Sequence, residues 1–246
     1  MKKGILLCCH GTRNTEGIKD TVKLLRIFKK QNKGYTVKIG YLEILRPTIE
    51  NQLNFFFKRN FNNLLIVPGM IFSGNHVTKD IPKIINNSKK KFKKILKINF
   101  LPPLIKSKKF FDVIQNNLIK NLQKLKNETK TGLIVLASNT INTYAKSQIN
   151  SLAKKIVKKN KFKFYKILLV TLNKENIKKE LKKLISNYEF IILPIFLFRG
   201  NLLENLQLVI KQNKKTNKNK FILCSHINNY KKIASLMNNL IKNNTT

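Results

Sequence analysis

Apolar positions in this chain come in two alternating patterns. Gly4–Cys9 is an unbroken apolar run, the pattern of a strand covered on both faces within a parallel sheet. Ile18–Lys29 instead spaces Ile18, Val22, Leu25 and Phe28 as one face of a helix, which predicts a crossover helix. Tyr35–Leu42 reads as a second strand, ending at Glu43. Pro47–Phe57 reads as a helix with Pro47 in its first turn and Ile49, Leu53, Phe56 and Phe57 as its apolar stripe. Leu64–Phe72 is a third predicted strand, running out into Ser73-Gly74-Asn75-His76. Pro82 suits the first turn of a helix predicted over Ile81–Phe92, followed by a fourth strand at Ile95–Phe100 and a long amphipathic helix at Phe110–Leu125. Such alternation predicts an α/β protein with a parallel sheet.

The pattern then restarts. Gly132–Thr140 overlays Gly4–Thr12, and Asn176–Leu181 overlays Thr48–Leu53 in the same register. Ile192–Asn201, which carries Pro194 and Gly200-Asn201, overlays Ile66–Asn75. Phe221–Ile241 repeats the fourth strand and last helix. The chain therefore reads as an internal duplication, with α/β halves at residues 1–127 and 131–246. Each half is expected to hold a four-stranded parallel sheet flanked by helices. The duplication is also an internal control. His10 corresponds to Ser138, Glu43 to Thr171 and His76 to Leu202, so the second copy keeps the frame and lacks all three ionisable groups. These groups are not needed to make the fold.

Composition narrows the function. A hydrophobic content of 42% in 246 residues is ample for a packed core. The net charge of +39 would ordinarily suggest a polyanionic partner. Its lysines are spread over the whole chain among many Asn and Ile, and the aromatics fall in apolar strands and helix stripes, so a nucleic-acid partner is not expected. The field still favours a polyanionic small molecule. Cys8, Cys9 and Cys224 form neither an even framework nor a C-x-x-C pair, and all lie in apolar runs, which predicts buried, inert thiols. Met1–Cys9 has a basic start but only a short apolar run, far from the roughly 18 apolar residues of a membrane span. A cytoplasmic protein with no membrane partner is expected.

In a parallel sheet, ligands bind beyond the carboxyl ends of the strands. His10, Glu43 and His76 each follow one of the first three strands, so they should converge at that edge. Two imidazoles and a carboxylate can hold a borderline divalent metal with coordination positions open, and the carboxylate can equally serve as a base. A single histidine after a strand usually only caps it, but the chain has three histidines in all and two occupy equivalent strand ends of one half. Gly11-Thr12-Arg13 and Ser73-Gly74-Asn75 are small-residue turns suited to backbone nests for anions. His226, after the fourth strand of the second half, reads as structural or surface.

Taken together, His10-Gly11-Thr12-Arg13, Tyr41-Leu42-Glu43 with Pro47-Thr48-Ile49, and Val67-Pro68 through Phe72-Ser73-Gly74-Asn75-His76-Val77 to Asp80-Ile81-Pro82 resemble the sirohydrochlorin chelatases. These are the CbiX and SirB type class II chelatases, here in the long two-half form. Cys9, Thr12 and Asn75 depart from common family residues by small changes. The resemblance implies a chelatase-like fold with an active cleft between the halves, and insertion of Co²⁺ or Fe²⁺ into sirohydrochlorin for cobalamin or sirohaem biosynthesis. It implies His10 and His76 as the catalytic and metal-binding histidines and Glu43 as the acidic residue. Thr12, Arg13, Arg46, Ser73, Gly74, Asn75 and Arg199 are then the candidate substrate-binding residues, the arginines as carboxylate clamps. No tightly bound cofactor and no iron–sulfur cluster is expected, the metal being a substrate. Since one chain supplies both halves, a monomer is expected. A non-catalytic tetrapyrrole or metal carrier is the alternative.

Overall fold

In a computed structural model of the chain, β1 (Lys3–Cys9) is buried from Gly4 onward and runs between β2 (Thr36–Tyr41) and β3 (Asn63–Pro68), parallel to both. A fourth strand, β4 (Lys97–Phe100), pairs with β3 to give the order β2-β1-β3-β4. The second sheet contains β5 (Thr131–Ser138), β6 (Phe164–Val170), β7 (Glu189–Pro194) and β8 (Lys220–Leu223) in the order β6-β5-β7-β8. Two four-stranded parallel sheets with one shared order are what a duplicated α/β unit gives. The structure describes residues 2–92, 96–125, 131–170, 174–185, 187–213 and 219–245. Ile95 at the expected start of the fourth strand, residues 127–130 of the link and Thr171, the counterpart of Glu43, lie outside them.

Helix ends follow their caps more than their apolar stripes. The Asn14 side chain accepts from the Gly17 N–H, so α1 (Thr15–Gln31) starts before its first apolar position at Ile18. α2 (Ile49–Lys58) opens with a capping box between Thr48 and Asn51, which leaves Pro47 outside the helix instead of in its first turn. α3 spans Ile81–Phe92 and α4 Phe110–Leu122. The second copy supplies α5 (Thr143–Asn160), α6 (Lys174–Lys182), α7 (Asn201–Asn213) and α8 (Tyr230–Thr245).

The third strand stops at Pro68 and not at Phe72. Gly69 N–H still donates to the Cys8 carbonyl at 2.7 Å, but the Met70 and Ile71 carbonyls then accept from the Leu104 and Ile105 N–H groups. Backbone pairing thus passes from the sheet to the loop after β4, while Ile71 stays buried. In the first sheet Leu6, Cys8, Leu64 and Ile66 pack on Ile49, Leu53, Phe56 and Phe57 of α2, and Phe57 stacks on Phe92 with centroids 5.0 Å apart. In the second, Ile134, Leu136, Phe190 and Ile192 pack on Ile177, Leu181 and Leu206. Each such side chain is worth about 1.5–3 kcal/mol when fully buried.

The chain forms two compact units, residues Met1–Phe110 with Asn229–Thr246, and residues Phe111–Asn228. These do not end where the sequence repeats end, at 127 and 131. The terminal helices are exchanged: α8 belongs to the first unit and α4, from Phe111 on, to the second. In the first unit Asn32 donates to Asn238 and Asn238 to Gln31, which ties α8 to α1. In the second, Gln115 and Asn160 exchange amide hydrogen bonds, Asn117 donates to the Ser225 carbonyl, and the Lys155 ammonium sits 4.3 Å from the Phe111 ring centroid.

Candidate metal centre

The order β2-β1-β3 puts side by side the three strands that lead to Glu43, His10 and His76. Hydrogen bonding continues past the end of β1: Leu42 N–H donates to the Cys9 carbonyl and Glu43 N–H to the His10 carbonyl, both at 2.9 Å. That register holds Glu43 beside His10. On the other side, the chain leaves β3, crosses the Gly69–Asn75 loop and brings His76 back to the same edge. One ligand atom from each of His10, Glu43 and His76 lies within 4.8 Å of the others. The two imidazoles meet edge to face, with centroids 4.7 Å apart and planes at 78°. His10 and Glu43 are exposed and His76 is half-buried, so the donor set faces solvent with room for further ligands.

Local backbone chemistry fixes this arrangement. Gly11 has φ +103°, and a Cβ there would collide with the Glu43 carbonyl oxygen. Only glycine lets the two loops close on one another. Next to Glu43, the Leu45 N–H donates to the Glu43 carbonyl at 2.7 Å across Ile44, whose φ is +67°. This is a γ-turn of the rare, strained hand, centred on a β-branched residue.

His76 opens a wide π-helical turn, His76–Asp80, that runs straight into α3, with Ile81 N–H reaching back to the His76 carbonyl. Pro82 therefore lies inside a continuous helical run and not at its start. Its ring would collide with the carbonyl four residues back in a regular helix, and the widened turn relieves that collision. The same turn brings Asp80 Oδ2 within 2.7 Å of His76 Nδ1. Asp80 is absent from the site residues the sequence suggested. Its spacing of four from His76 was a usable signal, hidden by starting the helix at Ile81. His10 Nδ1 donates to the Gly11 carbonyl at 3.2 Å.

The remaining suggested residues fare differently. Arg13 and Arg46 are exposed in the loops after β1 and β2, and the Thr12 hydroxyl accepts from the Asn14 N–H at 3.0 Å. Ser73 is buried, while Gly74 and Asn75 are half-buried at the helix start, where the Gly74 carbonyl accepts from the Val77 and Thr78 N–H groups. Gly11 has a positive φ and Gly74 does not, so the alternating geometry of an anion nest is open to residues 11–13 and not to 73–75. Arg199 is half-buried after β7 in the second unit, and His226 is buried beyond β8.

The second copy keeps the scaffold of this edge. Leu203 and Glu204 N–H groups donate to the Gly200 carbonyl, as Val77 and Thr78 do to Gly74. In place of the imidazoles stand exposed Ser138 and half-buried Leu202. The thiols do not compete for a metal: burial pushes Cys9 up to about 12 and Cys8 well above its usual value, the latter further raised by Cys9. Burial also pushes Cys224 up to about 12.

Twin parallel sheets, with two histidines and a carboxylate on the open edge of one of them, define an α/β protein whose one edge carries a donor set that could hold a divalent metal. A model of the CbiX family matches residues 4–121 and 132–244, both copies of the repeat, and the chain belongs to that family. It is 21% identical over 240 residues to a sirohydrochlorin ferrochelatase of Priestia megaterium, covering 97% of this chain and 89% of that protein. It is 22% identical over 243 residues to a sirohydrochlorin cobaltochelatase of the same organism, covering 96% and 78%. Its fold matches the sirohydrochlorin chelatase SirB from Bacillus subtilis subspecies spizizenii, solved in complex with cobalt, with a TM-score of 0.79 at 19% identity over 99% of this chain and 95% of that one.

Proposed function

We propose that this protein is a sirohydrochlorin chelatase, a lyase that inserts Co²⁺ or Fe²⁺ into sirohydrochlorin on the route to cobalamin or sirohaem. The observation that carries the reading is the cluster of His10, Glu43 and His76 within 4.8 Å, on the edge of one repeat alone. The family, and relatives named for this reaction with each of the two metals, support it.

Metalation must replace two pyrrole N–H protons that are far too weakly acidic to leave unaided near neutral pH. Neutral His10 and His76 hold the metal substrate and leave positions open toward the ring, so positive charge sits where nitrogen anions develop. Glu43 accepts a departing proton or completes the hold on the metal. The substrate is rimmed with carboxylates. Arg13 and Arg46 act as its clamps, by the bidentate geometry that suits guanidinium to carboxylate, and Thr12 with the turn at 11–13 offers polar contacts. Ser73, Gly74 and Asn75 contribute by shaping the start of the helix that carries His76. The protein works as a cytoplasmic monomer. Among the described residues no helix is long and apolar enough to cross a membrane.

An anaerobic spectrophotometric assay with sirohydrochlorin and Co²⁺ or Fe²⁺ tests the reading. A chelatase raises the rate above the uncatalysed one. A carrier binds the ring or the metal without raising it, and that result would overturn the proposal.

A further inference from the structure

His10 and His76 are each held at Nδ1, by different groups. The partner of His10 is the Gly11 carbonyl, which only accepts, so His10 Nδ1 carries the proton. The partner of His76 is the Asp80 carboxylate, 2.7 Å away, which when ionised also only accepts. Both rings therefore present Nε2 as the lone-pair nitrogen. For a histidine side chain free in water the other tautomer, with the proton on Nε2, is preferred, so the partners decide which nitrogen is offered.

We infer that Asp80 is a positioning residue: it selects the Nδ1–H tautomer of His76, fixes the rotation of its ring and strengthens Nε2 as a donor to the metal substrate. The inference rests on the reading of His10, Glu43 and His76 as a metal site. Two observations separate this role from a structural one. The His76 and Asp80 side chains are 37% and 47% exposed, and a pairing that open holds little of the fold together. The helix start is already secured by the Val77 and Thr78 N–H bonds to the Gly74 carbonyl. The second repeat keeps that start, through Leu203 and Glu204 to Gly200, yet has Leu202 where His76 stands and Leu206 where Asp80 stands. Carboxylate and imidazole are absent together, and Leu206 is instead part of the core.

The test uses the full chain, labelled with ¹⁵N-histidine. It has three histidines, so substitution of His10 and His76 assigns every imidazole and leaves buried His226 as the reference resonance. Tautomers are read by long-range ¹H–¹⁵N correlation at about pH 8, above the usual histidine range. Co²⁺ affinity is read by calorimetry, and neither measurement contains a tetrapyrrole. Parent protein should show Nδ1–H at His76. Asp80→Ala should convert it mainly to Nε2–H and weaken Co²⁺ binding about 10- to 100-fold. Asp80→Asn, whose Oδ1 still accepts from Nδ1–H, should keep the tautomer and recover most of the affinity. An Nε2–H tautomer in the parent, or an Asp80→Ala protein with tautomer and Co²⁺ affinity unchanged, would overturn the inference. A parent that fails to metalate sirohydrochlorin while Asp80→Ala still switches the tautomer and weakens Co²⁺ binding overturns the chelatase reading alone.

Discussion

Gly11 leaves no space for a side chain beneath Glu43: a Cβ added there would run into the Glu43 carbonyl oxygen, and the backbone at Gly11 is left-handed besides. Since Glu43 N–H also donates to the His10 carbonyl, the two loops are locked together at adjacent backbone positions. Gly11→Ala adds a left-handed alanine and an overlap with a backbone atom. It should destabilise the first unit by about 2–4 kcal/mol and weaken Co²⁺ binding with it. Urea unfolding and cobalt titration of the variant check both halves of this expectation.

The γ-turn at Ile44 predicts the opposite sign. Its side chain is 53% exposed, so little burial is lost on truncation, whereas the left-handed backbone costs a β-branched residue about 1–2 kcal/mol. Against the greater chain freedom of glycine in the unfolded state, Ile44→Gly should still stabilise the protein by about 0.5–1 kcal/mol. Ile44→Val, which keeps the strain, should leave the urea midpoint where it is.

Acid sensitivity of the second unit should depend on Glu180. Hydrogen bonds first from Lys183 and then from Lys166, with ion-pair distances of 2.7 and 2.9 Å, lower its carboxyl from 4.5 to about 2. A carboxylate whose folded value is depressed contributes stability that is fully present above 4.5 and lost as pH falls toward 2. Glu180→Gln should therefore be less stable than the parent at neutral pH, and the gap between their thermal midpoints should close as the pH is lowered through that window. The side chain is about a third exposed, so the gap is modest.

How much of this was legible in the sequence varies by feature, for physical reasons. His10, Glu43 and His76 stood out because each ends an apolar run, and a parallel sheet sends such ends to one edge; the repeat then showed them to be additions to a frame. The end of β3 at Pro68 was not legible, because Met70, Ile71 and Phe72 continue the apolar pattern while the Met70 and Ile71 carbonyls find their partners after β4. The exchange of α4 and α8 between the compact units was hidden for a related reason: an amphipathic stripe says that a helix buries one face, not which sheet receives it. The π-helical turn leaves no periodic signature in five residues, so the meeting of His76 with Asp80 needed coordinates.

Rates of Co²⁺ insertion into sirohydrochlorin test the central claim most directly, measured anaerobically for the parent, His10→Ala, His76→Ala, Glu43→Gln and, in the other repeat, Ser138→Ala. Either histidine variant should fall to the uncatalysed rate, Glu43→Gln should lose about 10²-fold or more, and Ser138→Ala should match the parent. Equal rates in the parent and both histidine variants would contradict the account.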